Sequence, residues 1–245
     1  ADVRRIAAEL ESGDADLDRV LPDRPGFFFA IDGHSLWANS KALELAGVSR
    51  DTPDPIPGFS YYARDENGEP TGYVLEVNAV LGLVDAVEPI SPETMGTLIA
   101  GWLPKASAAG ITSVFDAGVP PIGDDQGSIL RIYTDIEKRD LLPFRVIASY
   151  SVRETPIEGT VEKFTALRDE IRRDLVSVDV VKIIGDGTQG GYTAWLLEPY
   201  ADKPDSTGAS PFTEEQWHRL VGDVDAAGYD VHIHACGERT ARVGL

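Results

Sequence analysis

From residue 91 onward, strand-length apolar runs alternate with helical patterns, and this alternation constrains the fold more than any other feature of the chain. Strands are expected at 111–116, 144–150, 178–184 and 229–234, with helices at about 126–140, 160–174 and 213–227 between them. Ser91-Pro92 has the form of a helix start, an N-cap followed by proline in the first turn, and Gly110 that of a stop. Pro104 should kink or split the helix between them. Thr213-Glu-Glu-Gln216 is a capping box, and Gly228 ends its helix. Regular βα repetition argues for parallel strands joined by helices. An open doubly wound sheet and a (β/α)₈ barrel both satisfy it. No glycine-rich dinucleotide fingerprint follows any strand, and polar residues gather instead at strand C-terminal ends: Asp116, Tyr150, Lys182 with Asp186, and His234. A barrel keeps its chemistry at those ends, so the barrel is favoured.

The first 22 residues read as a polar helix running into the Pro-bounded turn Leu21-Pro-Asp-Arg-Pro-Gly26. Phe27 to Ile31 has the length of a strand. Asp32-Gly-His-Ser35 then turns the chain into a helix near Asn39 to Ala46, stopped by Gly47. Residues 49–72 are rich in Pro, Asp and Gly, with Asp65-Glu-Asn-Gly68 a hairpin turn. They read as an excursion from a larger framework, and 49–90 as an insertion within a single domain over 1–245.

Charge narrows the partners. A net charge of −19 repels phosphate backbones and anionic membrane surfaces, which argues against nucleic-acid and membrane binding. No apolar stretch approaches the roughly 20 residues of a membrane span. The single cysteine, Cys236, excludes an internal disulfide framework and suits a reducing, cytoplasmic setting. With no candidate helper except His234, it is expected to be buried and inert.

The chemistry concentrates in two strands. Tyr229 to Thr240 reads as a short buried strand running into a glycine-containing turn and a helix. Side chains alternate along a strand, so His232 and His234 share a face, opposite Val231 and Ile233. Two imidazoles at a strand end make half of a metal site, or a pair of hydrogen-bonded core histidines. Lys182 lies within the apolar run Val180-Val-Lys-Ile-Ile184, where a buried ammonium needs a partner or a modification. It shares a face with Val180, Ile184 and Asp186, and an ion pair with Asp186 or Asp116 would account for it without any metal. His34, in its turn, is a pocket residue or an ordinary turn residue, and His218 belongs on a helix surface. Asp186-Gly-Thr-Gln-Gly-Gly191 brings backbone close to a ligand or serves as a flexible βα loop. It lacks the Gly-Lys-Ser/Thr ending of a phosphate loop, and no Gly-x-Ser-x-Gly elbow supports a serine triad.

Four segments, in order, resemble the amidohydrolase superfamily, specifically the amidohydrolase family 3 group that includes N-substituted formamide deformylase-like proteins. They are Asp32-Gly-His-Ser-Leu-Trp-Ala-Asn-Ser-Lys-Ala-Leu43; Gly110-Ile-Thr-Ser-Val-Phe-Asp116; Val181-Lys-Ile-Ile-Gly-Asp-Gly187 with Thr193-Ala194 and Pro199-Tyr200; and Val231-His-Ile-His-Ala-Cys-Gly237. The resemblance implies a metal-dependent hydrolase on a (β/α)₈ barrel, with one or two divalent metals, zinc for preference. Lys182 looks like the fourth-strand lysine, often carboxylated, that bridges the metals, and His234 like the fifth-strand ligand. His34 matches the family's Asp-Gly-His insertion motif and becomes a substrate-pocket residue; His232 occupies a position that pattern does not require, inside the mouth or just below it, and with Asp186 is expected to bind substrate. Gly237-Glu238-Arg-Thr240 departs from the family's Gly-Asp-Arg-Ala. The first-strand His-x-His, the sixth-strand histidine and the eighth-strand aspartate that serves as general base have no counterpart.

On that alignment the barrel is incomplete, with about strands 2 to 5 present, and no catalytic base lies in the chain. The expectation is a hydrolase of the C–N bond of an amide or formamide, inactive as these 245 residues alone. Open sheet edges would favour a homo-oligomer. A second reading is a pseudoenzyme that holds a small molecule around His34, Trp195 and His232 without turning it over. A third is metal-independent chemistry with Lys182 as a Schiff-base amine.

Overall fold

The computed structural model describes residues 14–123 and 125–245. Most of the helix expected over the first 22 residues lies outside the described residues; its end is α1, Asp14–Val20. The chain forms two compact units, one from Ala1–Pro89, Asp186–Ser210 and Cys236–Glu238, the other from Ile90–Gly185, Pro211–Ala235 and Arg239–Leu245.

The first unit carries an antiparallel sheet with the order β1 (Phe27–Phe29), β2 (Ser35–Ala38), β4 (Pro70–Leu75), β3 (Tyr61–Arg64). Strand β2 corrects the expectation that the turn at Asp32–Ser35 leads straight into a helix. The alternation is present in the residues: Leu36 and Ala38 are fully buried, while Trp37 points the other way and stacks on Tyr73 of β4 with centroids 4.6 Å apart. Helix α2 (Ser40–Leu45) follows, and Asn39 caps it by accepting from the Ala42 N–H. The same buried side chain accepts from Gly26 N–H and donates to the carbonyls of Leu21 and Arg24, tying the preceding turn to the helix. The hairpin at 65–68 is as expected: Gly68 N–H donates to Asp65 O, and the Asp65 carboxylate accepts from Asn67 and Glu69 N–H. Helix α3 (Val77–Val87) lays Ala79, Val80 and Leu83 on Leu36, Ala38 and Val74 to make this unit's core.

The second unit is a parallel sheet in chain order, β5 (Ser113–Asp116), β6 (Arg145–Val152), β7 (Val176–Ile184) and β8 (Asp230–His234). Its helices are α4 (Pro92–Ala108), α5 (Ser128–Glu137), α6 (Thr160–Ile171) and α7 (Glu214–Ala226), and α8 (Glu238–Gly244) follows β8. Ser91 caps α4 and Thr213 with Gln216 closes the capping box of α7, as their sequences demand. Pro104 does not split α4, which runs on to Ala108. The proline removes a single donor, the one that would have served the Ala100 carbonyl, and the helix continues for one more turn beyond it.

One irregularity in this sheet aims the site. Ala148 pairs with Val178 but Ser149 pairs with Val180, so Asp179 is an extra residue on β7. Such a bulge reverses the parity of everything beyond it. Val176 and Val178 lie on one face before the bulge, and Val181 and Ile183 lie on that same face after it, all fully buried. That is the helix side, where Tyr150 of β6 meets Phe164 of α6. Val180, Lys182 and Ile184 are thereby turned to the opposite face.

Strand β8 is not the buried strand its sequence suggested. It is an edge of the sheet, and Val231 to His234 are all half-buried. Cys236, two residues beyond its end, is exposed rather than buried, because it lies in the turn after an edge strand instead of within a central one. No helix among the described residues is long and apolar enough to cross a membrane.

Candidate functional site

The first candidate lies on the face of the parallel sheet away from its helices. Register places Ser151, Lys182 and His232 in one row across β6, β7 and β8, with Ile184 opposite His234 in the next. Strands β5 and β8 are three strand spacings apart, about 14 Å if the sheet were flat. Yet the Phe115 ring of β5 lies 5.2 Å from the His232 ring of β8, so the sheet is curled and this face is its concave side. Parallel strands bring all their C-terminal ends to one rim, and Lys182, His232 and His234 stand at that rim together.

Lys182 is 6 % exposed, in line with the expectation of a buried lysine. Its stem is covered by Gly118, where a Cβ would come within 2.7 Å of Lys182 Cγ and 3.4 Å of Ser151 Oγ. Arg153 donates to Ser151 Oγ at 3.0 Å and to the Gly118 carbonyl at 2.7 Å, so this loop is held from below by a guanidinium whose burial lowers its pKa to about 10. His232 titrates below the ordinary histidine value, first because burial disfavours its charge and second because the Lys182 ammonium stands beside it. Carboxylation of Lys182 would remove the second cause and leave the first. His232 Nδ1 is buried with no hydrogen-bond partner among the described residues. An orphaned buried nitrogen on a neutral-leaning imidazole, beside a lysine and a second histidine, is a donor set that fits a divalent metal and what it binds.

Two strand-end residues do not join this face. Asp116 turns to the helix side, where it accepts from Tyr133 Oη of α5 at 3.3 Å and caps its own loop through the Gly118 and Val119 N–H groups. Tyr150 likewise packs on α6. Both have the wrong strand parity to meet Lys182. His218 is exposed on α7, as its helical position implied.

The second candidate belongs to the other unit. His34 sits at the end of a turn in which Asp32 Oδ1 accepts its N–H at 2.9 Å, and it directly precedes β2. The β2–β4 register pairs Ser35 with Leu75 and so carries His34 to Glu76, a residue no motif had marked. Glu76 Oε2 lies 2.8 Å from His34 Nδ1, and Glu76 Oε1 accepts from Thr193 Oγ1 at 2.5 Å. Glu76 is 1 % exposed and adopts φ 64°, ψ 158°, a region populated essentially by glycine alone and costing ~1–3 kcal/mol for any other residue. The signal available in the sequence was a lone acid in the apolar stretch Tyr73-Val-Leu-Glu-Val77. The hydrogen bond to Glu76 raises the His34 pKa above its ordinary value; burial opposes this, and the charges of Glu76, Asp32 and Asp186 reinforce it.

Asp186 is fully buried, and its carboxylate accepts three backbone N–H groups: Trp195 and Gly237 on Oδ2 at 2.9 and 2.7 Å, and Cys236 on Oδ1 at 2.9 Å. It pins the loop after β7 to the turn after β8. A Cβ on Gly237 would collide with the Trp195 backbone, so that approach requires glycine. Further along the loop, a cavity of about 490 Å³ is lined by Gln189, Tyr192, Leu196, Pro199, Tyr200 and Asp202 among others.

Comparison with known proteins bears directly on this geometry. The family model described as "Amidohydrolase family" matches residues 9–245. This chain belongs to the amidohydrolase family. A Bacillus subtilis (strain 168) protein named as an amidohydrolase, YtcJ, is 31% identical over 223 residues, covering 91% of this chain and 40% of that protein. The N-substituted formamide deformylase of Arthrobacter pascens is 42% identical over 66 residues, 27% of this chain and 12% of that enzyme. The crystal structure of a metal-dependent hydrolase from Pyrococcus horikoshii OT3 shares the fold with a TM-score of 0.60 at 22% identity, covering 94% of this chain and 43% of the other. The chain spans less than half the length of each curated relative it matches. It is an amidohydrolase-family chain with an α/β fold whose curled parallel sheet has the form of half a barrel.

Proposed function

We propose that this chain is the central part of a metal-dependent hydrolase that cleaves the C–N bond of an amide or formamide. In this reading β5–β8 are about strands 2 to 5 of a (β/α)₈ barrel, and residues 49–90 are a segment inserted relative to that barrel. The observation that carries it is the shared concave rim of Lys182, His232 and His234 in a chain of the amidohydrolase family. The likeness to a relative named for formamide deformylation supports the choice of bond.

Lys182, if carboxylated on Nζ, and His234 would hold the metal. When bound, a divalent ion, zinc in our reading, would supply an activated water at neutral pH and polarise the scissile carbonyl. His232, with its orphaned Nδ1, hydrogen-bonds the substrate from the same rim. His34 binds substrate through its imidazole, and Asp186 serves binding by fixing the backbone of Trp195, Cys236 and Gly237. Among the described residues none is assigned as the general base, and in this reading these 245 residues alone do not turn over substrate. The setting is cytoplasmic, and the edges of β5 and β8 are covered by native residues outside these 245 or by self-association.

The test is metal content per chain by elemental mass spectrometry on protein grown with added zinc, for wild type, Lys182→Ala and His234→Ala. Metal bound by the wild type and lost in both variants is expected. Equal metal in wild type and variants would sink the assignment.

A further inference from the structure

We propose that Glu76 is a positioning residue that holds His34 as a hydrogen-bond donor to an acceptor group of the substrate, a carbonyl or carboxylate oxygen. This rests on the reading of His34 as a substrate-binding residue and adds the group that sets its state.

Glu76 precedes α3 at the N-cap position, where an acid ordinarily turns back on the helix N–H groups. It does not: its side chain makes no capping bond. Ser60 takes that duty instead, accepting the Ala79 N–H at 2.8 Å while donating to the Leu75 carbonyl at 3.1 Å. The Glu76 carboxylate is directed away from the helix, to His34 and Thr193. Room for it is left by Gly187, where a Cβ would collide with Glu76 Oε1. A backbone conformation reserved for glycine, a displaced cap and a glycine opposite the carboxylate all serve one end, the contact with His34 Nδ1.

Chemically the contact does two things. It fixes the ring, because a carboxylate anchored on its far oxygen by Thr193 leaves Oε2 one direction of approach. It also favours a proton on Nδ1, and with Asp32 and Asp186 as the other facing charges the field favours the cationic ring. A cationic imidazole donates from both nitrogens, which suits an oxygen acceptor and not a metal or an electrophile.

The test is ¹³C/¹⁵N-histidine NMR of the full chain, with His34 assigned through His34→Gln and N-methylformamide as the probe. The wild-type His34 midpoint is expected above 6.5, and Glu76→Gln should lower it. N-methylformamide should shift the His34 resonance in the wild type and bind more weakly to Glu76→Gln. A wild-type midpoint at or below 6.5, which needs no variant to fold, overturns the proposal, as does a midpoint or probe affinity indifferent to Glu76→Gln. A midpoint that follows Glu76 while the probe never moves His34 would instead remove His34 from the substrate site, and the donor role with it.

Discussion

Glu76 and His34 are joined twice: the Glu76 N–H donates to the His34 carbonyl at 2.7 Å, and Glu76 Oε2 lies 2.8 Å from His34 Nδ1. The first bond extends the β2–β4 ladder by one step, and the second uses that register to bring together side chains 42 positions apart. An imidazole held at both its backbone and its ring has little freedom to turn, which is the condition for directing a hydrogen bond.

The pair makes stability depend on pH in a defined direction. The folded-state pKa of His34 is raised above 6.5, so its contribution is full below 6.5 and is lost as pH rises through the folded value. The stability gap between wild type and Glu76→Gln should therefore narrow as pH increases from 6.5. Urea midpoints measured across that range decide it, and a gap that widens with pH would contradict the sign.

Asp186→Ala should cost about 2–4 kcal/mol, because it strips the acceptor from three backbone N–H groups, of which Gly237 is buried. Asp186→Asn keeps one carbonyl oxygen and should cost less. Equal thermal midpoints for wild type and Asp186→Ala would show that these bonds do not hold the loop.

Gly118→Ala should destabilise the fold by about 1–3 kcal/mol, since the residue has φ 102° and the new methyl would press on Lys182 Cγ. Displacing the lysine stem should also reduce bound zinc, measured on protein that is still folded by circular dichroism. Unchanged stability with unchanged metal would mean that the loop at Gly118 gives way freely.

Local physics made much of the molecule legible in advance. Strands β5–β8 and helices α5–α7 were marked by apolar periodicity, and the ends of α4 and α7 by Ser91, Gly110, Thr213 and Gly228, because capping and turn preferences act within a few residues. The side-by-side placement of His232 and His234 followed from strand alternation alone, and the buried setting of Lys182 from the apolar residues around it. What alternation cannot reveal is how strands lie in a sheet. The edge position of β8 left its side chains half-buried and Cys236 exposed, and the bulge at Asp179, invisible as a pattern, decided which face receives Lys182. Parity sent Asp116 and Tyr150 to the helices although both end strands like their neighbours. Glu76 was beyond the reach of the sequence for a related reason: its partners, His34 and Thr193, lie 42 and 117 positions away. Its glycine-like backbone is imposed by the packing of a sheet, a helix and a loop. Period and caps are properties of a short segment, whereas edges, bulges and long-range pairs exist only once segments have found one another.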